Sequence, residues 1–314
     1  MQRPDSDELL RYADGVGEDG GLEVPPGLVL VHHLAGFVDA GSAATAAVEA
    51  LLVDHHRTDV AHFDADALVD HRSRRPVMTF DTDRWTGYEP PHVTVSLLRR
   101  HDDPAQALLL LHGAEPDYRW GAFSRAAVRL VQDLQVRLVV GLAAIPMGVP
   151  HTRPAGVIAH GTRAELVRGR RAWVGQVRVP GHVGGLLEYR LGEAGLDAVG
   201  FTVNVPHYVA QADYPEAAAV LLEHLSGVSG HPVDVSGLRV RAAQTRSDID
   251  VEVAKSSEVA AVVGALEEQY DSLAETAGSD LRNDLPDGDE LGAELERFLA
   301  ERERGGPGGA GEVR

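Results

Sequence analysis

LVLVHHLAGFVDAGSAA, residues 28–44, decides the fold class of this chain. Its first five residues, Leu28 to His32, form a short unbroken apolar run of the kind found in a strand buried on both faces. Gly36 to Ser42 then turns the chain, and Asp39 or Ser42 stands where an N-cap is needed before an alanine-rich helix to Leu52. Equivalent buried-strand runs recur at Ala107–Leu111, Arg137–Leu142 and Ala198–Val203. Between them Trp120–Leu134, Leu186–Glu193 and Tyr214–Leu225 carry apolar residues at spacings of three and four, which predicts helices. Shorter strands are expected near 60–63, 77–80, 92–98, 157–159 and 172–177. Strands alternating with helices predict an α/β chain with a mostly parallel sheet covered on both faces, a three-layer α/β/α sandwich.

Around that core, residues 1–26 read as a loosely held N-terminal arm, 27–245 as the α/β domain, 246–303 as an acidic helical extension and 304–314 as a disordered tail. The extension divides into a stripe of Val259, Val263, Leu266, Tyr270 and Leu273, a linker over 278–289, and a second stripe of Leu291, Leu295, Phe298 and Leu299. Of the net charge of −19, the last 68 residues supply −12.

Composition excludes several function classes. The chain has 314 residues, 44% hydrophobic and 25% charged, enough for a sizeable core. It contains no cysteine, which removes disulfides, thiolate nucleophiles and zinc knuckles. Its single lysine, Lys255, lies outside the α/β part, so neither a Schiff base nor a phosphate-loop lysine is available there. No GxSxG, GxxxxGK[ST] or HExxH occurs, and no GxGxxG stands between a strand and a helix; the weak glycine cluster Gly181-His182-Val183-Gly184-Gly185 lacks the context of a dinucleotide site. No cofactor or metal is expected. The acidic balance argues against nucleic acid, and the lack of a long apolar run or leader argues for a cytoplasmic chain with no membrane partner.

Polar residues gather after the apolar runs, where ligands bind in open α/β sheets. His32, His33, Gly36, Asp39 and Gly41 follow the first, His112, Gly113, Glu115, Asp117 and Trp120 the second, His151 and Arg153 the third, Asn204, His207 and Tyr208 the fourth. If the four strands are parallel neighbours, these residues face one crevice, in which Asp39, Glu115, His151 and His207 approach one another. A local reading stands beside it: the glycines permit tight turns, Asp39 and Glu115 serve helix termini, and the histidines end strands. Arg153 and Arg163 are candidates by position for an anion site.

GFVDAGSAA (36–44), HGAEPDYRW (112–120), GLAAIPMGVPHTRP (141–154) and VNVPHYVAQADYPEAA (203–218), taken in order, resemble the proteasome assembly chaperone family, most closely its actinobacterial branch. The resemblance spans roughly 25–245. It implies a phosphorylase-like α/β/α sandwich that self-associates, with a trimer favoured. Some members help assemble proteasome α-rings, so proteasome subunits are implied as partners. Relatives that dock on proteasomes commonly end in a hydrophobic residue, a tyrosine and one more residue; this chain ends Glu312-Val313-Arg314, so docking by the tail is not expected. The reading that follows is a non-enzymatic assembly or protein-binding function; the alternative is a nucleoside-like small molecule bound, or turned over, in the strand-end crevice.

Overall fold

The computed structural model describes residues 9–17, 21–171 and 175–277, with the side chains of 274–277 left aside. The four apolar runs lie in one eight-stranded sheet. Its strands are β1 (Leu10–Tyr12), β2 (Val29–Ala35), β3 (His55–Phe63), β6 (Val93–Arg100), β7 (Ala107–Ala114), β8 (Leu138–Met147), β9 (Val157–Gly161) and β10 (Ala198–Pro206), in the order β1-β3-β6-β7-β2-β8-β10-β9. β4 (Met78–Asp81) and β5 (Arg84–Tyr88) form a separate antiparallel hairpin.

The sheet is mixed rather than mostly parallel. β7, β2, β8 and β10 are parallel neighbours, and the other four pairings are antiparallel. The reason is connection length: residues 101–106 join β6 to β7 directly, and so short a link closes only an antiparallel pair.

Helices cover both faces, as the unbroken apolar runs require. On one, Val31, Leu110, Val140 and Phe201 pack in a cluster with Leu51 of α1 (Ala43–Asp54) and Leu221 of α5 (Pro215–Ser229). On the other, Leu30, Leu109 and Val139 meet Phe123 of α3 (Trp120–Asp133) and Leu187 of α4 (Val183–Glu193). α2 (Ala65–Leu68) is a single short turn, and its Leu68 joins this second cluster. Each such fully buried Leu or Phe contributes roughly 1.5–3 kcal/mol of burial free energy.

The arm is not loosely held where it is described: β1 pairs with β3 and Leu9 is buried. α6 (Ser236–Ala254) runs straight through residues 245 and 246, so the core passes into the extension along one helix, and α7 (Ser257–Ala277) follows. The strand expected over 172–177 is irregular at 175–177, while 172–174 lie outside the described residues, as do the linker, the second apolar stripe and the tail. No helix among the described residues is long and apolar enough to cross a membrane.

Candidate functional site

β7, β2, β8 and β10 end side by side, but the polar residues that follow them divide among separate clusters. Asp39 serves the start of α1, its carboxylate accepting the N–H of Ala44 at 2.8 Å and of Thr45 at 2.9 Å. His33 Nε2 stands 3.2 Å from Thr45 Oγ1 and 3.7 Å from Asp39. The turn before α1 needs Gly41: its φ is +67°, and a Cβ there would lie 2.6 Å from Tyr214 Cβ. A Cβ on Gly36 would meet Glu115 Cβ at 2.7 Å, so that backbone approach also requires glycine.

Glu115 belongs to the other face. It is buried, and its Oε1 accepts the N–H of Val183, the first residue of α4, at 2.8 Å. Burial pushes its carboxyl up, opposed by that N–H and by Arg74. Arg74 ties the segment together: its guanidinium donates to the carbonyl oxygens of Ala35 and Glu115 and pairs with Asp117 at 2.5 Å. Trp120 Nε1 donates to the Pro116 carbonyl at 2.6 Å. His112 points into the antiparallel half of the sheet, with Nε2 3.3 Å from Ser96 Oγ, and burial holds its pKa down at about 4.

His151 meets the C-terminal helices. The Tyr208 hydroxyl accepts the His151 backbone N–H at 2.8 Å and lies 2.7 Å from Nδ1, while Nε2 is 3.0 Å from Asp250 of α6. His207 packs edge-on against Tyr208. Arg153 is engaged with α7, bidentate to Asp271 at 2.8 and 2.6 Å, and Arg163 pairs with Asp197, so both cations proposed for an anion site already hold carboxylates. Asn204 is buried, and its Oδ1 has no partner among the described residues. Asp39, Glu115 and His151 make no hydrogen bonds with one another.

A cavity of about 330 Å³ opens between the carboxyl half of the sheet and α4. Of the residues gathered after the apolar runs, His32, His33 and Glu115 line it and the others do not; the rest of its polar lining is His160, His182, Glu188 and Thr202. His32 is buried, and its pKa is lowered to about 4 by desolvation. Burial also lowers His182, whereas His160 Nδ1 lies 2.9 Å from Glu188 at the more exposed side. Imidazoles and two carboxylates can donate and accept hydrogen bonds, and among the described residues no Lys or Arg contributes to this lining. Among the described residues, no group of three His, Asp or Glu side chains could hold a metal. A signal for this site did exist in the sequence: Gly141 and Gly200 interrupt apolar strands, and glycine inside a strand often marks a close approach.

Solved structures resemble this chain closely. A Mycobacterium tuberculosis protein of unknown function, Rv2714, is 39% identical with a TM-score of 0.79, over 96% of this chain and 99% of that one. A Corynebacterium glutamicum protein of unknown function is 34% identical with a TM-score of 0.79, over 86% and 99%. The M. tuberculosis proteasome-assembly chaperone homologue Rv2125 is 28% identical with a TM-score of 0.69, over 75% and 100%. No curated protein matches the chain. The PAC2 family model matches residues 33–253, which includes every element from the polar end of β2 to α6. The chain belongs to the PAC2 family.

Proposed function

We propose that this chain is a cytoplasmic, assembly-chaperone-like protein that works by binding other proteins as a homo-oligomer, with a trimer as the favoured form. The observation that carries the reading is the β4–β5 hairpin. It forms its own two-stranded sheet and holds Phe80 against Trp85 edge to face at 4.9 Å, with the two rings 55% and 62% exposed. Met78 and Tyr88, opposite each other in the hairpin, extend the same exposed apolar surface. A two-stranded hairpin is marginal alone in water, and an aromatic patch of this kind is typical of a protein contact. The occupant we commit to is a second copy of the chain, because identical arms on identical subunits close a symmetric assembly.

Kinship with a proteasome-assembly chaperone homologue supports proteasome subunits as the further partner. In this reading a core over 27–245 carries an acidic extension over 246–303, and the contact lies on a surface other than the tail. Light scattering tests the reading: the wild type is expected at a multiple of the monomer mass, and Phe80→Ser with Trp85→Ser at the monomer mass. A monomeric wild type at micromolar concentration overturns it. A pull-down with proteasome subunits tests the partner, and a nucleoside and ester panel is expected to give no turnover.

A further inference from the structure

We propose that the cavity under α4 binds a small, planar, uncharged nitrogen heteroaromatic, with His32 as its buried hydrogen-bonding anchor and the His160–Glu188 pair at its rim. The ligand would occupy the interior of each subunit, apart from the hairpin surface that carries self-association.

The floor of the cavity is one row of the sheet. His32 on β2 is opposite Gly141 on β8, Gly141 is opposite Gly200 on β10, and Gly200 is opposite His160 on β9. Directly opposed residues project to the same side of a sheet, so two imidazoles and two glycines share this face. The glycines are required by the rings: a Cβ on Gly141 would lie 2.9 Å from His32 Nε2, and one on Gly200 would lie 2.0 Å from His160 Cε1. From the helix side, a Cβ on Gly184 would stand 3.3 Å from His32 Cε1. Three glycines on three elements therefore make room for this pair of histidines. Interior glycines weaken strands, so making room for the two rings at Gly141 and Gly200 destabilises β8 and β10 locally.

The site lacks an internal partner for its most buried polar group. His32 is 7% exposed, and its ring makes no hydrogen bond with the other described residues. His160, by contrast, is held by Glu188 and lies 3.4 Å from Thr202 Oγ1. Phe37 and the His182 ring stack in parallel, 3° apart in plane at 5.1 Å, and give the cavity a flat wall. Leu34, Ile145, Met147 and Ile158 supply apolar sides.

These features select the ligand chemistry. Glu115 and Glu188 line the cavity and no Lys or Arg does so among the described residues, so a carboxylate ligand would be buried there without a fixed counter-charge. Burial keeps the His32 imidazole neutral, with one nitrogen as donor and the other as acceptor, which suits a ring carrying both an N–H and a lone pair. The flat wall and a volume near 330 Å³ suit a molecule of one or two rings.

Calorimetric titration of the full chain with nicotinamide, uracil and adenine tests the proposal, with nicotinate and orotate as the carboxylate counterparts of the first two. Saturable binding of at least one uncharged probe at one site per subunit is expected. Both carboxylates should bind at least tenfold more weakly than the tightest uncharged probe. His32→Phe, which keeps a ring between Gly141 and Gly184, is expected to weaken that probe at least tenfold. Glu188→Gln preserves shape, is expected to do the same, and keeps the test open if His32→Phe does not fold. The proposal is overturned if no uncharged probe saturates, if a carboxylate binds as tightly, or if a folded variant binds like the wild type.

Discussion

Buried histidines set the chemistry of this protein at the scale of single residues. His55 and His231 share a hydrogen bond, Nε2 to Nε2, at 2.8 Å, and His55 Nδ1 lies 2.8 Å from the Leu51 carbonyl. A carbonyl only accepts, so His55 carries its hydrogen on Nδ1, its Nε2 is the acceptor, and His231 Nε2–H is the donor. A proton added to His55 would face that N–H and break the bond. Burial lowers both histidines, with His231 at about 4, and holds His32 and His112 at about 4 as well. Because these folded-state pKa values lie below the unfolded value of about 6.5, the unfolded chain takes up protons first as pH falls. Their stabilising contribution is therefore complete above about pH 6.5 and is lost progressively toward pH 4, each histidine losing up to about 1.4 kcal/mol per pH unit in that window. Urea denaturation at pH 7.5 and pH 5 checks this; equal midpoints would contradict it. From sequence, His32 looked like the end of a strand, because the glycines that enclose it, Gly141 of β8 and Gly184 of α4, lie more than 100 residues away.

At the scale of elements, the parallel strands were legible because burial on both faces leaves an unbroken apolar run, as in Leu108 to Leu111. The antiparallel half was harder to read, since β3 mixes His56, Arg57 and Asp59 with its buried residues. β5 gave little signal because its exposed Arg84, Trp85 and Tyr88 pack on no core. α6 escaped notice for a similar reason, its buried residues being Leu238 and Ala242 alone. What ties α6 and α7 to the core is mainly polar: Asp250 to His151, Arg153 to Asp271, and Tyr270 Oη donating to the Pro154 carbonyl at 3.1 Å. These contacts are unequal. The Arg153 pair is partly exposed, and such pairs contribute about 0.2–1 kcal/mol, so Arg153→Ala is expected to leave the thermal midpoint nearly unchanged while hydrogen exchange in α7 accelerates. Asp250→Ala strands a buried imidazole nitrogen and should cost about 1–3 kcal/mol. Hydrogen exchange and denaturation on the two variants check the ranking; a larger global loss from Arg153→Ala would reverse the assignment.

For the whole molecule, the question is which surface joins the copies, and charge helps to decide it. Residues 247–314 carry −12 of the total −19, so an assembly that brings these segments together concentrates like charge, whereas contact through the hairpins need not. The exposed Val259 and Val262 on α7 offer some apolar surface, but Val263 faces inward, which leaves that stripe weaker than the aromatic patch of Phe80 and Trp85. A chain ending at residue 246 separates the two possibilities. It retains Leu238 and Ala242, the buried residues of α6, and both apolar clusters of the sheet nearly whole. It loses the partly buried Ile249 and the Asp250 partner of His151, for a destabilisation of about 2–4 kcal/mol. The truncated chain is expected to fold and to keep the subunit number of the full chain in light scattering. Its assembly should also depend less on salt, because the repulsion between copies has been reduced. The full-length Phe80→Ser, Trp85→Ser variant should do the opposite, keeping its charge and losing its partners. If truncation instead yields monomers while the hairpin variant stays assembled, the contact lies on α6 and α7, and the hairpin's aromatic face is left for a protein of another kind.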